Sequence, residues 1–194
     1  LSGISKYFFR NNPSDALSGT LLADYVAENY KSVAIMSEQT DYAQGVKEVF
    51  IQEAQKKNLN IVDIEDFDSK TTDFRSILTK IKSKNPDVVL INPQTAEKIG
   101  KIAKQAKNID LKALFVGNLF GTDKILHNDI NVEGMIFYDN TGLTTDKGKE
   151  FLSKYKQAYN VDPSFTFYGG ASYDSIYLLS QAISSAGDNT DKVA

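Results

Sequence analysis

The sequence predicts an α/β fold: a parallel, doubly wound sheet with helices on both faces, followed by a helical fragment that belongs to a second lobe. Short apolar runs bounded by polar turns, such as Ser32–Ser37 (SVAIMS) and Asp87–Ile91 (DVVLI), have the composition of strands covered on both faces. Segments with apolar residues at helical spacing separate them, so strand and helix alternate from about Pro13 to Asp139. After Tyr138 the alternation stops, and two helical segments follow with no strand between them.

The elements follow in order. Asp15–Tyr30 places Leu17, Leu21, Leu22, Tyr25 and Val26 at helical spacing ahead of the strand Ser32–Ser37. Asp41–Lys57 carries Tyr42, Val46, Val49, Phe50 and Ala54 on one face, with Thr40 or Asp41 as cap. Asn60–Phe67 is predicted as a strand through Ile61, Ile64 and Phe67, and Asp73–Lys84 as a helix with Phe74, Ile77, Leu78 and Ile81 inward. The strand Asp87–Ile91, the helix Thr95–Lys107 and the strands Ala113–Val116 and Gly134–Tyr138 complete the pattern. Asn140–Thr144 is an extended polar stretch, Asp146–Tyr159 a helix, and Asn160-Val161-Asp162-Pro163 a turn. Tyr173–Ala186 is the last clear helix, ended by Gly187, and Asp188–Ala194 resembles the capped start of another.

Composition bounds what such a chain does. Its 194 residues are 41% hydrophobic and 24% charged, room for one packed domain and part of a second. A net charge of −3, with lysines interleaved among acids as in Glu97-Lys98, argues against the concentrated basic face that nucleic acid requires. Cysteine is absent, which excludes disulfides and thiolate-bound metal. His127 is the only histidine, so a metal site or histidine triad would have to do without a second, and it is read as a surface-loop residue. Glu65-Asp66-Asp68 lacks the spacing and glycine of a calcium loop, and Gly169-Gly170 is read as a turn before a helix. Neither a phosphate-binding glycine loop nor a GxSxG or HExxH motif occurs, so no catalytic, metal or cofactor role is assigned. No stretch is long and apolar enough to span a bilayer. The chain opens on Leu1-Ser2-Gly3 with no charged-then-apolar leader, and any targeting segment is expected to have been removed or never to have been part of it.

Four stretches in order resemble the branched-chain amino-acid receptor family, the type I periplasmic solute-binding proteins of ABC transporters. They are Tyr7-Phe8-Phe9-Arg10 followed by Asp15, and Ser32–Met36 with Asp41-Tyr42-Ala43-Gln44-Gly45. The third is Asp73-Phe74 with Ile77, Leu78 and Lys82 followed by Pro86-Asp87-Val88-Val89, and the fourth Tyr173-Asp174-Ser175-Ile176-Tyr177-Leu178-Leu179. The resemblance implies a fold of two lobes joined by three crossovers. It implies that residues 1–8 end lobe one, with 7–10 as an entry strand, that 9–139 form lobe two, and that 140–194 cross back into lobe one. The first half of lobe one would lie upstream of Leu1. It further implies no enzymatic activity and no cofactor, a small-molecule ligand, a membrane permease as partner, and a periplasmic or extracellular location with or without a lipid anchor.

In an open parallel sheet, ligands bind outside the carboxyl ends of the strands. Those ends are Ser37-Glu38-Gln39-Thr40, Asp68-Ser69, Asn92-Pro93-Gln94-Thr95 and Gly117-Asn118-Leu119. Helices beginning near Asp41 and Thr95 would offer free N–H groups to an anionic ligand group. Tyr42 is either an aromatic packed on the sheet or a ring lining the cleft, and the resemblance favours the second. Gln94 and Thr95 match a ligand-contacting loop and are equally readable as an ordinary loop and helix cap. Tyr168 stands where the family places a cleft-facing aromatic of lobe one. Amino-acid receptors of the family carry an acid just after the fourth strand, where this chain has Asn118 and Leu119. A ligand ammonium in a partly dry cleft would then need Glu38 or a residue outside this chain, or the ligand is not an α-amino acid. The candidate contacts are therefore Tyr42, Glu38, Gln94, Thr95, Asn118, Leu119 and Tyr168.

The leading function is a receptor that captures a small polar ligand (an amino acid or a related carboxylate or amide) between two lobes for ABC-transporter uptake. A ligand-sensing ectodomain of a signalling receptor shares every one of these features. A flavodoxin-like α/β enzyme is motivated by the alternating pattern alone.

Overall fold

The computed structural model describes residues 4–119, 126, 129–140, 143–163 and 166–187. His127, Thr141-Gly142 and the helix start expected over Asp188–Ala194 lie outside the described residues. The elements are α1 (Asp15–Asn29), β1 (Ser32–Glu38), α2 (Asp41–Lys56), β2 (Asn60–Phe67), α3 (Arg75–Ser83), β3 (Val88–Asn92), α4 (Ala96–Asn108), β4 (Leu114–Asn118), β5 (Ile136–Tyr138), α5 (Asp146–Tyr159) and α6 (Thr166–Ala186). A 3₁₀ turn, Ile130–Val132, precedes β5.

Contacts divide the chain into two compact units, Ser14–Asp139 and Leu1–Pro13 with Asn140–Ala194.

The unit Ser14–Asp139 is a five-stranded parallel sheet in the order β2-β1-β3-β4-β5. Successive side chains of a strand point to opposite faces, and both faces here are covered, so the central strands carry continuous apolar runs, Val33–Met36 in β1 and Val88–Ile91 in β3. Val33 and Ile35 of β1, Val88 and Leu90 of β3 and Val116 of β4 form one core with Leu22, Ala23 and Val26 of α1 and Phe50 and Ala54 of α2. Ala34 and Met36 with Val89 and Ile91 form the other core, against Leu78 and Ile81 of α3 and Ile102 and Ala106 of α4. Strand order turns around between β1 and β3: α2 leads from β1 outward to β2, and α3 returns past β1 to β3. In open parallel sheets ligands bind at such a reversal, here at the carboxyl ends of β1 and β3.

Edge strand β2 shows why Ile61, Ile64 and Phe67 are not spaced by two. Val33 pairs with Ile61 but Ala34 pairs with Asp63, leaving Val62 as an extra residue that shifts the register. Beyond it Ile64 is exposed while Phe67 is buried.

The structure corrects three expectations. Helix α3 begins at Arg75 rather than Asp73: Phe74 is its N-cap, with its N–H donating to the Gln105 side-chain oxygen at 2.7 Å and its ring edge-on against Phe67. Residues 7–10 do not form a strand: the Phe8 N–H closes a local turn onto Ser5, and no described strand runs beside them to complete a ladder. Gly169-Gly170 is not a turn but part of α6. A Cβ on Gly170 would meet the Leu143 side chain at 2.7 Å, so these glycines serve close packing inside a helix.

The second unit holds α5 and α6. Thr145 caps α5 by accepting the Gly148 N–H, and Asn160 ends it in the left-handed conformation. Asn11 donates to the Ala171 carbonyl and to Ser175 Oγ, tying the N-terminal segment to α6.

Candidate functional site

At their carboxyl ends the apolar strands turn polar. Ser37 is registered with Asp66 on one side and Asn92 on the other, Asn118 is registered with Tyr138, and Asn92 and Asn118 follow the pair Ile91–Gly117. One rung across all five strands therefore carries Asp66, Ser37, Asn92, Asn118 and Tyr138. Asp66, Ser37, Asn92 and Asn118 bond residues of α2. Asp66 takes Lys47 in an ion pair at 2.8 Å and accepts from Gln44 Nε2. Ser37 Oγ donates to the Ala43 carbonyl at 3.3 Å, and Asn92 Nδ2 donates to the same carbonyl at 2.6 Å and to Ser37 Oγ at 3.1 Å. Asn118 Nδ2 donates to Tyr42 Oη at 2.7 Å. Burial, then the neighbouring Asp139 and Asp15 carboxylates, pushes the Tyr138 hydroxyl pKa up.

Asn92 and Asn118 are almost wholly buried, and each leaves its Oδ1 without a partner among the described residues. The Asn92 orientation is fixed, because the Ala43 carbonyl can only accept. A buried acceptor left unpaired costs about 1–3 kcal/mol.

Glu38, one residue beyond Ser37, points to the opposite face. It is 1% exposed, accepts the Gln94 N–H at 2.7 Å and forms an ion pair with Lys98 of α4. Gln94 in turn accepts from Thr40 Oγ1 through its side-chain oxygen at 2.9 Å, and Thr40 Oγ1 caps α2 by accepting the Ala43 N–H. Thr95 occupies the N-cap of α4 in extended conformation with no side-chain cap bond. Gln94 and Thr95 are exposed.

Leu119 follows β4 at φ 60°, its N–H donating to the Tyr138 carbonyl at 2.7 Å. The other non-glycine residues described with positive φ are Asn58, Asn85, Asp110 and Asn160, the types that tolerate that region. Leu119 is the exception, and strain of that kind gathers at functional edges.

The strand ends of this unit thus bring together six of the sequence-predicted residues: Tyr42, Glu38, Gln94, Thr95, Asn118 and Leu119. Tyr168 lies in the other unit, exposed near the start of α6. Sequence reasoning placed Ser37 and Asn92 at the strand ends without choosing them as contacts, and it missed Lys98. The first two had a signal, a polar residue closing an apolar run. Lys98 had none, since 60 residues separate it from its partner.

No helix among the described residues is long and apolar enough to cross a membrane, and no group of three or more potential ligands for a metal occurs among them. Residues 3–194 match the model of the periplasmic binding protein family, and the chain belongs to that family. It is a family of extracytoplasmic solute-binding proteins rather than enzymes. The chain is 25% identical over 190 residues to the Leu/Ile/Val-binding protein homolog 3 of Brucella melitensis, covering 96% of this chain and 51% of that protein. The chain thus spans about half the length of that relative. A branched-chain amino acid transporter substrate-binding protein from Streptococcus pneumoniae, solved in complex with isoleucine, superimposes with a TM-score of 0.73 at 28% identity, over 93% of this chain and 52% of the other. A solute-binding protein from Rhodopseudomonas palustris, solved with benzoate, shares the fold with a TM-score of 0.74 at 18% identity, over 93% and 50% of the two chains.

Proposed function

We propose that this chain forms part of an extracytoplasmic receptor that captures a small polar ligand and delivers it to the permease of an ABC transporter. Residues 9–139 serve as lobe two of that receptor and 140–194 as the crossover and partial return into lobe one, with Tyr168 as a further candidate ligand contact. The observation that carries the reading is the convergence of Tyr42, Gln94, Thr95 and Asn118 at the strand-order reversal of a family member. The first turns of α2 and α4 begin beside them, and the positive ends of the helix dipoles there suit a ligand carboxylate.

The ligand class follows from charge. Glu38 is paired with Lys98, so it is not an unclaimed counter-charge for an ammonium group. Relatives of this fold hold isoleucine in one case and benzoate in another, ligands that share a carboxylate and differ in the ammonium. A carboxylate-bearing ligand with an apolar body is therefore proposed. Calorimetry on the full-length gene product against branched-chain amino acids, aromatic and aliphatic carboxylates, and amides tests it. Saturable heat with at least one carboxylate is expected; silence across the panel rejects the receptor reading.

A further inference from the structure

Each of the two strands that flank the reversal ends in a side chain that holds the turn of the other, beside the bonds from Ser37 Oγ to the Ala43 carbonyl and from Gln44 Nε2 to the Glu38 carbonyl that tie α2 to β1 itself. Strand β1 runs into α2, yet its last residue, Glu38, binds the β3–α4 turn by accepting the Gln94 N–H at 2.7 Å and pairing with Lys98. Strand β3 runs into that β3–α4 turn, yet its last residue, Asn92, binds the first turn of α2 by donating to the Ala43 carbonyl at 2.6 Å. The two anchors use opposite faces of the sheet, Asn92 the α2 side and Glu38 the α4 side. Between them Thr40 Oγ1 bonds the Gln94 side chain directly, from one turn to the other.

We propose that Glu38 and Asn92 are positioning residues, crossed so that the Tyr42-bearing turn and the Gln94-bearing turn are held as one preorganised unit. The proposal rests on the receptor reading for its use, but not for its geometry. Both anchors are buried where water competes little, so each bond is geometrically decisive rather than a solvated surface contact. A turn tied to its own preceding strand could swing with it. A turn tied to the neighbouring strand fixes the spacing between the two, which sets how two contacts meet one ligand. Glu38 on this assignment does not face a ligand ammonium.

Amide hydrogen exchange on the 194-residue chain tests the crossing. Glu38→Met should raise exchange at Gln94 and through the first turn of α4 by about tenfold or more, leaving Ala43 and Gln44 within about twofold. Asn92→Leu, close in volume and without the amide, should do the reverse, loosening Ala43 and Gln44 and sparing Gln94. Glu38→Gln keeps an acceptor for the Gln94 N–H and should restore protection there. The double variant Glu38→Met/Lys98→Met removes the stranded ammonium, and Ser37→Ala weakens the Ala43 anchor more mildly if Asn92→Leu does not fold. Uniform loss of protection over the whole sheet, or, for Glu38→Met or Asn92→Leu, loosening of the turn that follows the variant's own strand in place of the other turn, overturns the proposal.

Isoleucine calorimetry on the full-length gene product separates positioning from direct contact. Glu38→Gln should keep isoleucine affinity within about threefold, whereas a carboxylate that serves the ligand ammonium would lose about a hundredfold. The larger loss overturns the assignment. If the parent protein binds no probe at all, the receptor reading fails, and the exchange pattern alone still decides the crossing.

Discussion

At the residue scale, single side chains decide which backbone geometry the chain tolerates. Asp87, just before β3, gathers the Lys31 N–H, the Ser32 N–H and the Ser32 hydroxyl, and these bonds hold its carboxyl pKa below the usual aspartate value. A depressed folded pKa gives stability that is present above the unfolded value near 3.9 and is lost as pH falls through the folded one. Asp87→Ala should therefore lower the unfolding midpoint at pH 7, and the gap from the parent should close as the solution is acidified below pH 4. Because Asp87 is exposed, the effect is modest, and a gap that widens in acid would contradict the assignment. The place of Asn118 at a strand end was legible from the apolar run before it, and that of Tyr42 from the helix start that follows β1. Glu38 shows the limit of that reading: its position was visible, but its partner Lys98 is brought there only by the sheet.

At the scale of elements, most boundaries were legible because buried parallel strands write continuous apolar runs and helices write a 3.6-residue period. The differences have local causes: the extra residue Val62 in β2, the Gln105 bond at the head of α3, and the two glycines inside α6. Glycines also give a paired test of helix packing. A Cβ on Gly19 of α1 would lie 2.8 Å from the Val46 carbonyl of α2, whereas a Cβ on Gly45 meets nothing within 4 Å. Alanine is the better helix former by about 1 kcal/mol, so Gly45→Ala should stabilise by up to that amount. Gly19→Ala should instead destabilise by about 1–3 kcal/mol, because α1 must move off α2. Denaturant melts of the two variants check this, and equal shifts of the same sign would refute the packing described.

At the scale of the whole molecule, the unit Ser14–Asp139 buries its own cores while α6 does not. Ile176 is 67% exposed and Leu179 52%, on a helix whose only buried residue is Gly170. An apolar face of that size predicts that the isolated 194-residue chain binds a hydrophobic dye and associates as its concentration rises. A monodisperse monomer that ignores the dye would contradict it. The unpartnered face was legible in the sequence, as helical periodicity with no strand to receive it. The crossed anchoring of the two turns was not, since it depends on register between strands far apart in the chain.

The location of the site at the strand-order reversal is tested most directly by amide chemical-shift mapping of the full-length gene product titrated with isoleucine and, separately, benzoate. Saturable shifts should centre on Glu38–Tyr42, Gln94–Ala96 and Asn118-Leu119, while Lys31, Asn60 and Asp87 at the opposite edge stay still. Shifts centred on that opposite edge, or none with either probe, would contradict it.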